Sequence, residues 1–171
     1  IGPRLAHKSE AGAVALGIAD PAALMAALAR MTKAVAAHDP LAVTDDFLVE
    51  EMAPRPIAEL LISLRRDPEF GPALTLAAGG TLVELLKDSV NLLLPATAQD
   101  IRAALGNLRM APLLDGYRGG ASADMAALLA TILRLQDIFL ADPQIAEVEI
   151  NPAFVGTKET AIIDALIHLR P

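Results

Sequence analysis

Apolar positions recur at two spacings along this chain, and the spacing changes mark its elements. Residues 14–18 are short, apolar and interrupted by Gly17, which predicts a strand. Asp20 followed by Pro21 reads as an N-cap with proline at the first helical position. An Ala-rich helix is expected from there to about His38, where Asp39-Pro40 stops it. Residues 46–52 and 57–65 predict two successive strands joined by Ala53-Pro54-Arg55-Pro56. Residues 72–76 and 81–87 flank Ala77-Ala78-Gly79-Gly80, which places the glycine pair at a strand-to-strand turn. Residues 91–94 add a short strand, and Thr97-x-x-Asp100 resembles a capping box opening a helix to about Leu108.

The clearest helical periodicity covers residues 122–140, where Met125, Leu128, Leu129, Ile132, Leu135 and Phe139 recur on one side. Residues 147–150 and 159–167 then predict strands around a turn at Gly156. Strands in blocks with short turns, and helices between blocks, predict an α+β domain around a mostly antiparallel sheet. No internal repeat or low-complexity linker divides the chain, so one compact unit is expected.

Composition narrows the classes. With 171 residues, 54% hydrophobic and 20% charged, the chain can bury a real core. A net charge of −7 argues against nucleic acid, because neutralising phosphates along a strand takes a basic surface. Nucleotide binding stays compatible with that charge, since a few cations and a metal suffice. There is no cysteine, which removes disulfides, thiolate catalysis and zinc–thiolate sites and fits a cytoplasmic setting. The longest apolar stretch, residues 70–83, is too short for a membrane span and contains Pro72 and the glycine pair. The chain opens Ile1-Gly2-Pro3-Arg4 without Met, and it reads as part of something longer.

Four groups of residues carry candidate chemistry. His7-Lys8-Ser9-Glu10 brings an imidazole, an amine, a hydroxyl and a carboxylate together; the histidine suits a general base, a metal ligand or a phosphoryl acceptor. A solvated tail is the competing reading. Gly79-Gly80-Thr81 with Glu84 suits close backbone approach to phosphate, although an ordinary hairpin turn explains it equally well and the Walker ending is absent. In Glu147-Val148-Glu149-Ile150-Asn151-Pro152, strand alternation puts Glu147, Glu149 and Asn151 on one face. Asp164, set in the apolar run Ile162-Ile163-Asp164-Ala165-Leu166, is expected to be a carboxylate inside an otherwise apolar strand, needing a cation or donor. An amide oxygen and a carboxylate on adjacent strands are the hard donors that Mg²⁺ uses alongside nucleotide phosphates, and a polar sheet edge is the alternative. Finally, Arg65 to Pro72 and Gly116-Tyr117-Arg118-Gly119 read as charged loops open to structural or functional use. His38 and His168 lack companions at ligand spacing.

Taken in order, these pieces resemble the ATP-grasp domain of NDP-forming acyl-CoA synthetases, such as the ADP-forming acetate–CoA ligases, relatives of the succinyl-CoA synthetase beta subunit. The resemblance rests on His7-Lys8-Ser9-Glu10, Phe47-Leu48-Val49-Glu50-Glu51-Met52 and Arg66-Asp67-Pro68-Glu69-Phe70-Gly71-Pro72. It continues through Gly79-Gly80, Val83-Glu84-Leu85-Leu86-Lys87-Asp88, Gly116-Tyr117-Arg118-Gly119, Glu149-Ile150-Asn151-Pro152 and Asp164, covering essentially the whole chain.

The resemblance implies a role for each group. His7 is the residue that relays a phosphoryl group. Asn151 and Asp164 hold Mg²⁺, with Glu149 or Glu147 assisting. Glu50, Glu51 and Met52 belong to the hinge that receives adenine, and Gly79 and Gly80 approach the nucleotide phosphates. The cofactors it implies are ATP or ADP, Mg²⁺ and, in the parent protein, CoA. The implied partners are the remaining synthetase domains, CoA-binding and ligase, in the same chain or another subunit, with a homo-oligomer possible. Residues 1–171 form one ATP-grasp subdomain whose N-terminal companion, including the lysine that contacts ATP phosphates, is missing, so the chain alone is expected to be inactive. Three motifs depart from the family pattern: Ala13 follows Gly12 where a second glycine is usual, Ala77-Ala78 precede the glycine pair, and Leu92 stands where an arginine is expected. Those departures leave a second reading, a catalytically silent regulatory module fused, for example, to a protein acetyltransferase.

Overall fold

The computed structural model describes residues 8, 11–80 and 87–170, in two compact units, Ile1–Met52 and Ala53–Pro171. In the first unit, helix α1 (Pro21–His38) begins as the sequence predicts: the Asp20 carboxylate accepts the Ala23 N–H at 2.8 Å, with Pro21 at the first turn. It ends at Asp39, whose carboxylate accepts the Leu41 N–H at 2.9 Å and opens a single 3₁₀ turn over Pro40–Ala42. Ala11, Ala13, Val35 and Ala42 form this unit's small core.

Residues 14–18 and 46–52 are not strands, contrary to expectation. Their apolar side chains Val14, Leu16, Ile18, Leu48 and Val49 are exposed, Leu16 by 73%. A strand exists only through hydrogen bonds to a neighbouring strand, and neither segment has one among the described residues.

The second unit is an antiparallel sheet with helices on one face. Strands β1 (Ala58–Asp67), β2 (Gly71–Ala78) and β3 (Ser89–Leu93) are followed by helices α2 (Ala98–Gly106), α3 (Ala111–Leu114) and α4 (Met125–Ala141). Strands β4 (Ile145–Val155), β5 (Thr160–Ile162) and β6 (Ala165–Leu169) complete it. The order across the sheet is β3-β2-β1-β4, and both β5 and β6 pair with β4.

Period-two alternation sends Leu60, Ile62, Leu64, Leu74, Leu76, Val148 and Ile150 to one face. There they pack with Ile101, Leu105, Leu128, Ile132 and Phe139. The other face carries Glu59, Ser63, Arg65, Thr75, Asn91, Glu147, Glu149 and Asn151, and the Thr75 hydroxyl donates to Asn91 Oδ1 at 2.6 Å.

Polar side chains tie the helices on. Thr97 and Asp100 form the expected capping box, and the Thr97 hydroxyl and N–H hold the Asp100 carboxyl below its ordinary range. Buried Gln136 of α4 accepts from the Ala96 N–H at 2.8 Å and donates to the Ala96 carbonyl at 3.3 Å.

The charged segment after β1 is structural. Asp67 accepts the Glu69 and Phe70 N–H groups, both at 3.0 Å, and so folds the β1–β2 turn. Arg66 reaches the C-terminus of α4, where its guanidinium donates to the carbonyls of Phe139 at 2.7 Å, Asp142 at 3.0 Å and Ile145 at 2.9 Å. The same group lies 4.6 Å from the Phe139 ring centroid. Helix C-termini leave carbonyls without donors, and a cation placed there also opposes the helix dipole. Arg66→Ala is therefore expected to cost about 2 kcal/mol in urea unfolding, with little recovered by Arg66→Lys, which lacks the planar fork.

Candidate functional site

The polar face of the sheet has one corner where backbone irregularities gather. Between the pairs Leu60↔Ala153 and Ile62↔Ile150, β4 contains two residues, Asn151 and Pro152, against the single Leu61 of β1. This bulge explains why Val148 and Ile150 face the core before it, and Ala153 and Val155 after it. Asn151 is thereby left on the polar face, in line with Glu147 and Glu149.

On its other side, the Asn151 N–H donates to the Asp164 carbonyl at 3.2 Å, and the Ile163 N–H donates to the Pro152 carbonyl at 3.1 Å. Asp164 is exposed and stands at the break between β5 and β6, where the sequence predicts one continuous strand. Across the break the register of β4 against β5 and β6 is unbroken, Ile150 facing Ala165 and Ala153 facing Ile162, and the ladder is interrupted between them where Pro152 has no N–H to donate. The Asp164 carboxylate accepts the Ala165 N–H at 3.1 Å.

The glycine pair completes the corner. It is not a tight hairpin turn, since the strand paired with β2 begins only at Ser89. Gly79 donates its N–H to the Glu59 carbonyl at 2.7 Å, and a Cβ there would lie 2.5 Å from the Leu60 carbonyl carbon. Gly80 has φ +71° and donates its N–H to Asn151 Oδ1 at 3.1 Å. A Cβ on Gly80 would fall on the Glu59 carboxylate. Gly79 therefore requires glycine because the Leu60 backbone leaves no room for a Cβ, and Gly80 because its backbone is left-handed.

Asn151 thus links the glycine pair, through its side chain, to Asp164, through its backbone, and Glu149 lies two residues along β4, about 7 Å away at strand rise. Glu50, Glu51 and Met52 are exposed in the first unit. His7, Thr81 and Glu84, and the strand expected over residues 81–87 apart from Lys87, lie outside the described residues. Glu59 was missed by sequence reading. Its signal is the alternation of β1, which places it on the same face as Ser63 and Arg65.

Three motif residues have other duties. Buried Asp88 accepts the N–H groups of Arg109 at 2.9 Å and Met110 at 3.1 Å, pinning the α2–α3 connection. Arg118 lies over the Tyr117 ring at 5.2 Å in an exposed loop. Leu92 pairs with Leu74 and packs against the core, so its departure from arginine does not strip a cation from the polar face.

The donors at the corner suit a hard cation. Asn151 offers an amide oxygen and Asp164 a carboxylate, and among the described residues no three His, Asp or Glu side chains form a metal cage of their own. Mg²⁺ suits this incomplete set, because it commonly takes one or two protein oxygens and fills its octahedron with phosphate oxygens and water.

A family model described as an ATP-grasp domain matches residues 1–169. The chain belongs to the ATP-grasp family. The ATP-grasp chain is 34% identical over 166 residues to a trans-feruloyl-CoA synthase from an unidentified prokaryote, a match covering 95% of this chain and 23% of that protein. It is 30% identical over 169 residues to the beta subunit of ADP-forming acetate–CoA ligase I of Pyrococcus furiosus, covering 99% of this chain and 72% of the subunit. Among solved structures, it superposes with TM-score 0.84 and 30% identity on a dinucleotide-forming acetyl-coenzyme A synthetase from Candidatus Korarchaeum cryptofilum. That match covers 99% of this chain and 74% of the other. The Korarchaeum structure contains coenzyme A and Mg-AMPPCP, with its phosphohistidine segment pointing towards the nucleotide site. No helix among the described residues of the ATP-grasp chain is long and apolar enough to cross a membrane.

Proposed function

We propose that this chain is the nucleotide-binding part of an ADP-forming acyl-CoA synthetase, catalysing carboxylic acid + CoA + ATP ⇌ acyl-CoA + ADP + phosphate through a phosphohistidine. The observation that carries this reading is the corner itself. The glycine tip donates to the Asn151 amide oxygen, and the Asn151 backbone pairs with that of Asp164, in a chain whose relatives include ADP-forming CoA ligases.

Each residue then has a role. Asn151 and Asp164 would hold Mg²⁺, which neutralises charge spreading over the nucleotide phosphates. Glu149 lies close enough on the same face to orient a water or neighbouring group, and Gly79 lets the backbone approach. Glu50, Glu51 and Met52 present main-chain groups to adenine, and His7 carries the phosphoryl group. Catalysis of this type is chiefly positioning and electrostatic stabilisation, which backbone donors and a metal supply.

Residues 14–18 and 46–52, strand-like in pattern and unpaired among the described residues, support an N-terminal ATP-grasp subdomain as their partner. CoA-binding and ligase domains, in the same chain or another subunit, supply the thioester chemistry. A cytoplasmic setting follows from that dependence on ATP and CoA.

The deciding experiment supplies the complete protein with Mg-ATP, CoA and a panel of short and aromatic carboxylic acids. Acyl-CoA appearing with equimolar ADP and phosphate is expected. A folded protein that turns over none of the acids would instead point to the silent regulatory module.

A further inference from the structure

We propose that Gly80 and Glu59 are positioning residues for Asn151, acting on the orientation of its amide oxygen rather than on nucleotide phosphate. The proposal rests on the reading of Asn151 as a metal ligand.

The Gly80 N–H points at the Asn151 side chain, with N···Oδ1 3.1 Å. A backbone N–H only donates, so the atom facing it is the amide oxygen and not the NH₂ group. A carbonyl oxygen has two lone pairs. One is taken by Gly80, and the other stays available to a cation with the amide plane already set. A metal ligand held by a second hydrogen bond in this way loses less freedom on coordination and cannot flip its NH₂ toward the ion.

Glu59 keeps the tip in place. Its carbonyl accepts the Gly79 N–H at 2.7 Å, and its carboxylate fills the space a Gly80 side chain would need. The backbone of Leu60 leaves no room for a Cβ on Gly79. Any side chain at position 80 must displace the carboxylate and, at φ +71°, strain the backbone, so it draws the N–H away from Asn151. The Glu59 charge also adds a negative potential that favours a cation at this corner.

The test uses Mn²⁺ as a paramagnetic probe on the complete protein. Mn²⁺ binding is followed by electron paramagnetic resonance with ADP present, and ADP binding without metal is followed by calorimetry in EDTA. Gly80→Ala is expected to weaken Mn²⁺ about 10- to 100-fold, the usual range for losing an outer-shell partner, while metal-free ADP affinity stays within about 2-fold. Glu59→Gln keeps the shape and the main-chain carbonyl and removes only the charge, so the weakening of Mn²⁺ it causes, expected below that of Gly80→Ala, reads the potential at the corner. Where Gly80→Ala fails to fold, the double variant carries the test. The double variant Gly80→Ala, Glu59→Gly restores space for the Cβ and is expected to recover part of the loss.

Variants that bind Mn²⁺ like the wild type, while the wild type binds it with ADP, would overturn the proposal alone. Wild-type protein that binds ADP without recruiting Mn²⁺ would overturn the metal reading of Asn151, and the proposal with it.

Discussion

His7→Ala in the complete protein is expected to abolish phosphoenzyme formation from γ-labelled ATP. In the proposed reaction an imidazole nitrogen attacks the γ-phosphorus, the bond to the ADP oxygen breaks, and ADP leaves with the electron pair. Alanine has no nucleophile, and in the proposed protein the phosphoryl group would need a covalent carrier to pass between the nucleotide and acyl sites. Neither Lys8 nor Ser9 is expected to substitute. Phosphoryl transfer needs a nucleophile placed in line with the γ-phosphorus, and the resemblance gives that place to the imidazole alone. Label retained on the variant at the wild-type level would remove His7 from the mechanism. Overall turnover should fall below detection in the same variant, whereas metal-dependent ADP binding should persist, since the corner built from Asn151 and Asp164 is a separate set of residues.

Asp164→Ala is expected to lower turnover by about 100-fold or more at saturating ATP, with the loss partly offset by raising Mg²⁺ into the tens of millimolar range. Asp164 is exposed and sits at a strand break, so its removal takes no apolar packing with it. Surface substitutions of that kind usually change stability by about 0.5 kcal/mol, and the Ala165 N–H it accepts can turn to water. A large kinetic effect with a nearly unchanged melting temperature would therefore separate a ligand from a structural residue. Asp164→Asn keeps the shape without the charge and should fall between the two. Equal turnover for wild type and Asp164→Ala across a magnesium titration would exclude Asp164 as a ligand.

Helix α1 and helix α4 were legible in the sequence because their signals are local. Asp20-Pro21 caps one, and apolar residues at helical spacing run through the other. The capping box at Thr97 was equally plain, since both partners lie within one turn. The two absent strands, residues 14–18 and 46–52, were misread for the opposite reason. Their apolar pattern is right for a strand, but strand formation depends on a neighbour that a pattern cannot supply. Arg66 illustrates a further limit: its partners are carbonyls more than seventy positions away. A charged motif therefore looked like a loop and proved to be a helix cap.

By itself, the sequence determined the α+β class, the starts of α1 and α2, the alternation that lines up Glu147, Glu149 and Asn151, and the ordered motifs that mark an ATP-grasp chain. All of these are set by neighbours in the chain or by side-chain period. The tertiary structure alone decided which polar residues meet. The bulge at Asn151 and the hydrogen bond from Gly80 to its side chain depend on the pairing of β1 with β4, strands that are distant in sequence. Register is settled by the packing of the opposite, apolar face, so the geometry of this polar corner is a consequence of the core beneath it.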